Sequence, residues 1–197
     1  MYYKPAGEIT TRDDPEGRRT VFAGVPEPKA GRWITVGRLD LSTSGLLLLT
    51  THGELAHRLM HPSYEIPRTY SVRVLGRLSD SQVSSLRSGV ELDDGPARVG
   101  DIREAGGTGA NAWYEVTLSE GRNREVRRLF EAVGLTVNRL IRVQYGPLRL
   151  SRLRRGESRA LTKAELEPLF SSVGLRLPRA RARQAGAPDK RPARRRR

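Results

Sequence analysis

The sequence predicts an α+β fold. Strand-like and helical segments are interspersed without regular βα alternation, a pattern typical of α+β proteins. The chain has 197 residues, which is long enough for one domain with a hydrophobic core. Only 37% of the residues are hydrophobic, which indicates that part of the chain does not fold. We therefore expect one folded domain over residues 1–175 and a disordered, basic tail over residues 176–197.

Strands dominate the first half of the prediction. A strand is expected within residues 1–10, and Arg12–Thr20 is rich in turn residues. Further strands are predicted at Trp33–Val36, Leu46–Thr50 and Thr69–Leu75, and helices at His52–Met60 and Ser79–Ser88. The first helix stops before Pro62, and Ser79 is a suitable N-cap for the second.

The second half continues the same mixture. Strands are predicted at Val90–Leu92, Ala97–Glu104, Ala112–Leu118 and Thr136–Val143, with a glycine-rich loop at residues 106–109. The clearest helix is Gly121–Val133, in which Val126, Leu129 and Val133 share one face and Gly134 follows the end. A last helix at Thr162–Ser171 has Thr162 as N-cap and Glu165 at the spacing of a capping box.

Charge and composition point to a polyanionic partner. The net charge is +14, and residues 176–197 carry nine of these charges, so the folded part is only moderately basic. The absence of cysteine excludes disulfides and thiolate catalysis and fits a cytoplasmic protein. No apolar run approaches the roughly 20 residues of a membrane span, and the first residues lack the apolar core of a signal peptide.

The most informative segment is Gly37–Gly53, GRLDLSTSGLLLLTTHG. It sets Asp40 in a polar turn before a buried apolar run, with Arg38 two residues earlier. A neighbouring cation favours the ionised form of a carboxyl group, and an aimed carboxylate can attack an electron-poor carbon or remove a proton. The alternative from local pattern is an ordinary turn that closes a hairpin.

The amino-acid sequence of this segment resembles the catalytic-aspartate motif of the RNA pseudouridine synthases of the RsuA/RluB family. Further segments agree in order, namely YKPAGEITTRDDPEGRRTV, ELAHRLMHPSYEIPRTYSVRVLG, VELDDGPARVGDI and EGRNREVRRLFEAVGLTVNRLIRVQYGPL. The resemblance covers Tyr3 to about Leu150 and is closest to the enzymes that modify large-subunit ribosomal RNA. It implies a mixed, mostly antiparallel sheet flanked by helices.

The resemblance also implies an activity. Such an enzyme converts a specific uridine of ribosomal RNA to pseudouridine, here expected in the peptidyl-transferase region of 23S rRNA. The N1–C1′ bond breaks, the uracil turns and C5 joins C1′, a redox-neutral change that needs no cofactor or metal. By resemblance Asp40 is the catalytic carboxylate, and both attack on C1′ and removal of the C2′ proton are open to it. The base must leave the helical stack to be reached.

Three further site residues follow from the motif match. Tyr70 falls at the active-site tyrosine, where it would stack on the uracil and help to remove the C5 proton, although a cross-strand aromatic is the structural alternative. Arg127 matches the arginine that pairs with the catalytic aspartate. Leu140 matches an apolar position against the target base, and a plain core leucine is the alternative. Lys4 and Pro5 match a first motif that we interpret as structural.

A basic run, EGRNREVRRLF, surrounds Arg127. Arg38, Arg122, Arg124 and Arg128 are candidate RNA-binding residues, and a solvated basic face is the alternative. Like charges four residues apart on a helix repel each other, so a polyanion would relieve the repulsion between Arg124 and Arg128. The start of the helix also offers free N–H groups to phosphate.

Other interpretations remain open at this point. A non-catalytic RNA-binding or ribosome-assembly factor would also use the positive charge. A metal-dependent nuclease would use Asp40 with His52, His57 and His61, of which the last two have a spacing that can ligate one ion. Family members usually carry an RNA-binding S4 domain before the first strand, so we expect either a compact form or a start assigned too far downstream. We expect a monomer. We also expect the tail to contact RNA in a way that raises affinity without sequence specificity.

Overall fold

The computed structural model describes residues 1–178, which form ten strands and four α-helices. The strands are β1 (Tyr2–Lys4), β2 (Ile34–Val36), β3 (Thr43–Thr50), β4 (Arg68–Leu75), β5 (Val90–Leu92), β6 (Gly95–Ala97), β7 (Asp101–Thr108), β8 (Asn111–Leu118), β9 (Val137–Tyr145) and β10 (Leu148–Arg149). The helices are α1 (Gly53–Met60), α2 (Asp80–Ser88), α3 (Glu125–Ala132) and α4 (Lys163–Ser171), with short 3₁₀ helices at Val21–Gly24 and Pro62–Tyr64.

Eight strands form one mixed sheet, which confirms the predicted α+β class. Its order is β1-β3-β9-β4-β8-β7, with β2 added to β3 and β10 added to β9. Within residues 1–178, β3 and β9 are the one parallel pair of named strands, and all other pairs are antiparallel. The hairpin of β5 and β6 lies outside this sheet.

Two large hydrophobic clusters hold the layers together. In the first, Leu86 of α2 and Leu129 of α3 are fully buried with Val72 of β4 and Val116 of β8. Strand β8 alternates strictly between half-buried and buried residues, as expected for a strand with one covered face. In the second cluster, α1 and α4 cover residues of β3 and β9. Leu177 still packs against this cluster, two residues past the expected end of the folded domain.

The predicted helix starts are largely those of the structure. Ser79 and Thr162 each form a capping box, with Gln82 and Glu165 respectively, so the expected caps of α2 and α4 are confirmed. His52 caps α1, because its ring nitrogen accepts a hydrogen bond from the backbone N–H of Leu55 at 3.1 Å.

The prediction of a helix over Gly121–Val133 was wrong at its start. Helix α3 begins only at Glu125, because Arg124 adopts the left-handed conformation with φ +49° and cannot continue a right-handed helix backwards. Residues 121–124 therefore precede the helix, with a turn at residues 123–124, and the free N–H groups of the helix start lie four residues later than expected.

The strand predicted at Ala97–Glu104 was also wrong, because it merges two elements. Ala97 ends β6, which pairs with β5, and β7 begins at Asp101 in the main sheet. The glycine-rich loop predicted at residues 106–109 is shorter than expected. Strand β7 continues to Thr108, with a register shift between Glu104 and Gly107.

The expected tail falls almost entirely outside the described residues, since these end at 178. Among residues 1–178, no helix combines the length and the apolar character needed to cross a membrane.

Candidate active site

A cavity of about 880 Å³ opens where the loop between β2 and β3 meets strands β4 and β9 and the turn before α3. Six of the eight candidate residues line it: Arg38, Asp40, Tyr70, Arg122, Arg124 and Leu140. Arg127 and Arg128 do not line it. The structure thus brings together side chains that lie up to 102 positions apart in the sequence.

Lys4 fixes the backbone of the Asp40 turn by hydrogen bonds. The Lys4 side chain is fully buried, and its Nζ donates hydrogen bonds to the backbone carbonyls of Asp40 at 3.0 Å, Thr43 at 2.8 Å and Pro5 at 3.0 Å. The N–H of Thr43 also donates to the Asp40 carbonyl at 3.0 Å. The bonds to Asp40 use its backbone carbonyl and not its side chain, so the carboxylate of this half-buried, cavity-lining residue is not occupied by them.

Burial lowers the pKa of the Lys4 ammonium to about 8, although the Glu8 and Asp40 carboxylates act in the opposite direction. A buried cation with three acceptor oxygens is oriented tightly. The sequence predicted a structural role for Lys4. In the structure, Lys4 holds the backbone of the Asp40 turn.

Gly45 sets the distance between the Asp40 loop and β9. Thr43 and Gly45 pair in parallel with Leu140 and Arg142. Gly45 has φ +115°, and a Cβ atom there would collide with the backbone of Arg142. Only glycine therefore permits this close approach, which places Asp40 and Leu140 on the same cavity.

Tyr70 and Leu140 form the apolar part of the lining. Tyr70 lies on β4 opposite Val116 and Arg142, directly after a register shift between Thr69 and Tyr70. Such an irregularity redirects a side chain. Leu140 is 5% exposed and belongs to the first hydrophobic cluster, so it is a core residue that also lines the cavity.

Arg127 is buried, but it does not form the expected ion pair with Asp40 in this structure. Its guanidinium donates to the Val137 carbonyl at 2.8 Å and to the Ser42 hydroxyl at 3.1 Å, while its Nε has no partner among residues 1–178. Burial and then the charge of Arg124 lower the pKa of Arg127, whereas Asp40 acts in the opposite direction. Arg127 thus holds Ser42, two residues after Asp40.

Arg122 and Arg128 are engaged by the β5–β6 hairpin. Arg128 binds Asp94 with both terminal nitrogens, at 2.7 and 2.9 Å. Arg122 donates to Glu120 at 2.7 Å and to the Pro96 carbonyl at 2.8 Å. Hydrogen bonds from Arg128 lower the pKa of Asp94 to about 2. The expected repulsion between Arg124 and Arg128 is therefore relieved inside the protein, because Asp94 neutralises Arg128.

Glu125 is a buried carboxyl group at the start of α3. It is 4% exposed, its Oε2 accepts the N–H of Arg122 at 3.2 Å, and its Oε1 has no partner within the described chain. Burial raises the pKa of Glu125. The folded protein therefore disfavours the charged form of this side chain.

We expect Glu125→Gln to raise the free energy of unfolding at pH 7. Because burial raises the pKa of folded Glu125 above its ordinary value of 4.5, the folded state binds this proton more tightly than the unfolded state does, so wild-type stability falls as the pH rises from 4.5 towards the raised pKa. The gain of the variant should shrink towards pH 4, where Glu125 is protonated in both states. Urea unfolding at several pH values measures this difference.

Glu27→Gln is the matched control, because Glu27 is exposed and should show no such dependence. A loss of stability in Glu125→Gln that is equal at all pH values would contradict the assignment.

Two of the three histidines, His52 and His61, accept backbone hydrogen bonds at the starts of helices. His52 caps α1, and His61 accepts the N–H of Ser63 at 3.3 Å in the following 3₁₀ helix. Among residues 1–178, no group of three or more His, Cys, Asp or Glu side chains could hold a metal ion. Asp40 and the three histidines therefore do not form such a group among these residues.

Sequence reasoning missed several residues of the cavity lining. Arg68 donates to the Ser119 and Glu120 carbonyls at 3.0 and 2.8 Å, and Arg142 donates to the Leu46 carbonyl at 2.8 Å. Arg98 also lines the cavity. Arg68 and Arg142 stand in the same motifs as Tyr70 and Leu140, and Arg98 stands in the matching segment VELDDGPARVGDI. The motif match is thus a signal that could have found all three.

The chain is similar to known proteins in both sequence and fold. The family model described as RNA pseudouridylate synthase matches residues 1–132. The chain is 56% identical over 176 residues to the Haemophilus influenzae protein named ribosomal large subunit pseudouridine synthase B, which covers 89% of this chain and 49% of the relative. The Yersinia pestis protein of the same name is 61% identical over 149 residues, covering 76% and 47%.

The chain thus spans about half the length of these curated relatives. A solved structure described as a pseudouridylate synthase superposes with a TM-score of 0.75 at 31% identity, covering 85% of this chain and 71% of the other. The fold expected from the resemblance is therefore confirmed. Because the family model matches about two thirds of the sequence, the chain belongs to the RNA pseudouridylate synthase family.

Proposed function

We propose that this protein converts a uridine of large-subunit ribosomal RNA to pseudouridine, without a cofactor or metal. The observation that carries the proposal is the anchored Asp40 turn, which shares one cavity with Tyr70 and Leu140. The name of these relatives, ribosomal large subunit pseudouridine synthase B, supports the class of RNA. The finer proposal is 23S rRNA in the peptidyl-transferase region.

In this proposal the target uridine leaves the helix and enters the cavity. Removal of a base from the stack costs a few kcal/mol and is easiest in a loop or bulge. The Tyr70 ring would stack on the uracil, and Leu140 would give the base an apolar wall. Recognition would then depend on RNA shape and on unstacked bases, as is usual for RNA loops.

Asp40 would engage the sugar of the bound nucleotide. Its carboxylate would act either as nucleophile at C1′ or as base at the C2′ proton, and both routes need the same placement beside the ribose. The uracil then turns within the cavity, C5 bonds to C1′, and the phenol oxygen of Tyr70 helps to take the C5 proton. A redox-neutral isomerisation of this kind needs only fixed protein groups.

We propose different roles for the basic residues. Arg127 would act as a positioning residue, since it fixes Ser42 and adds a positive charge near Asp40. Arg122 and Arg128 would hold the β5–β6 hairpin in place. Arg38 and Arg124 remain candidates for direct contact with RNA, since both line the cavity and are exposed. We further propose that the protein acts as a cytoplasmic monomer.

The test is pseudouridine mapping of a large-subunit rRNA transcript incubated with the protein. Carbodiimide treatment blocks reverse transcription at pseudouridine, so one new stop is expected after incubation and none in RNA that was not treated with carbodiimide. RNA that is bound by the protein but gains no stop would refute the proposed activity and favour a non-catalytic RNA-binding factor.

A further inference from the structure

The arginines of the cavity lining fall into two groups. Arg68, Arg122 and Arg142 donate hydrogen bonds to protein carbonyls or carboxylates. The other three, here termed the rim arginines, are Arg38, Arg98 and Arg124. They are exposed, and their side chains make no hydrogen bond or ion pair with any residue between 1 and 178. Their charges are therefore available to a ligand.

The rim arginines come from three separate segments that converge on one opening. Arg38 precedes Asp40, Arg124 precedes α3, and Arg98 lies between β6 and β7. The lining as a whole contains six arginines and four carboxylates, and one of these carboxylates, Glu120, is paired with Arg122. The cavity mouth thus carries an excess of positive charge, which attracts a polyanion.

Arg98 stands on an unusually well-fixed piece of backbone. Its neighbours Ala97 and Val99 are each 3% exposed and belong to the first hydrophobic cluster. The N–H of Val99 donates to the Leu86 carbonyl at 2.9 Å, and that of Gly100 donates to the Thr117 carbonyl at 2.8 Å.

The hairpin before Arg98 is fixed as well. Arg128 binds Asp94 in the turn between β5 and β6, and Arg122 donates to the carbonyls of Gly95 at 3.1 Å and Pro96 at 2.8 Å. A backbone that is already rigid loses little conformational freedom when the side chain it carries binds a ligand. The buried contacts and the arginine pairs therefore fix the backbone from which the Arg98 side chain extends at the cavity.

Phosphate is the group that this arrangement suits. A guanidinium matches the geometry of phosphate and stays charged. A nucleotide whose ribose lies beside Asp40 carries its own phosphates and those of its neighbours out to the cavity mouth, since they are joined to the same sugar chain. Carboxylates of a protein partner would lack this covalent link to the site.

We propose that Arg98 is a phosphate-binding residue that holds the RNA backbone next to the target nucleotide, together with Arg38 and Arg124. The proposal rests on the proposed function for the identity of the polyanion. It assigns to the β5–β6 hairpin a role in RNA binding, because the hairpin carries Arg98 and is itself fastened by Asp94 to α3.

The experiment compares Arg98→Gln with wild type in binding a fluorescently labelled RNA stem-loop that contains a bulged uridine, measured by anisotropy over a salt series. Loss of one phosphate contact should reduce the slope of log K against log[salt] by about 0.7 to 0.9. Arg98→Lys keeps the charge and should restore the wild-type slope.

Arg152→Gln is the matched control, since Arg152 is also exposed but does not line the cavity. It should keep the wild-type slope. An unchanged slope in Arg98→Gln, an equal reduction in Arg152→Gln, or a failure of Arg98→Lys to restore the slope would each overturn the proposal.

The assay separates this inference from the proposed function. Binding is measured without conversion, so wild-type protein that binds RNA but forms no pseudouridine would refute the activity while the slope still decides on Arg98. Conversely, conversion by wild type with an unchanged slope in Arg98→Gln would leave the activity standing and remove Arg98 from the RNA contact. Because Arg98 makes no side-chain bond within residues 1–178, the variant should fold as wild type does.

Discussion

Asp40→Asn is expected to lower the rate of pseudouridine formation by on the order of 10⁴-fold or more, with little change in RNA binding. The amide that replaces the carboxylate can neither attack C1′ nor take a proton from C2′, so both routes proposed for Asp40 are lost. Removal of a nucleophile or base commonly costs at least this much. Single-turnover conversion of an rRNA transcript, mapped by carbodiimide-dependent stops, measures the effect.

The structure explains why this variant should remain folded. Lys4 and the N–H of Thr43 bind the backbone carbonyl of Asp40, not its side chain. Asparagine has nearly the same shape and leaves these bonds intact, so we expect the free energy of unfolding to change by less than about 1 kcal/mol. Anisotropy with the same RNA supplies the binding control. A variant that binds RNA and converts it within about tenfold of the wild-type rate would show that Asp40 is not the catalytic group.

Lys4→Met should produce the second large effect, although Lys4 does not line the cavity. It removes three hydrogen bonds and leaves the carbonyls of Pro5, Asp40 and Thr43 without this donor. Since unpaired buried polar groups are costly, we expect a loss of about 2–4 kcal/mol in the free energy of unfolding. A shift of about 1 Å in a reacting group can cost about 10²-fold in rate, and we expect a loss of that order in single-turnover conversion.

Lys29→Met is the matched control for this prediction. Lys29 is exposed, so the same replacement should leave both stability and rate close to wild type. Conversion should be measured at saturating RNA and at a temperature where Lys4→Met is still folded, as judged by circular dichroism. A folded Lys4→Met protein with the wild-type rate would mean that Lys4 does not position Asp40.

Local sequence predicts the features of this fold that depend on interactions between residues close together in the chain. The capping boxes at Ser79 and Thr162 involve residues three positions apart, and the alternation in β8 reflects one covered face of a strand. The start of α3 was predicted wrongly because the left-handed conformation of Arg124 leaves no mark in the pattern of apolar residues.

The candidate site residues were predicted mainly from the motif match and less from the pattern of polar and apolar residues. Asp40, Tyr70 and Leu140 were selected by resemblance, and the structure places them around one cavity. The contact between Lys4 and the Asp40 turn joins residues 36 positions apart, and the pair of Arg128 and Asp94 joins residues 34 apart. Interactions over such distances are set by how the sheet assembles, so reasoning from neighbouring residues could not supply them.

The parallel pairing of β3 with β9 has a consequence for how such a site can change. Among the described strands, this pairing is the hydrogen-bonded link between β1, β2 and β3 on one side and β4, β7, β8, β9 and β10 on the other. Asp40 comes from the first group, and Tyr70 and Leu140 come from the second. The link comprises residues 43–45 on one strand and 140–142 on the other. Mutations along this seam could therefore tune the rate of the reaction in evolution or in the laboratory, even where the altered side chain never touches the substrate.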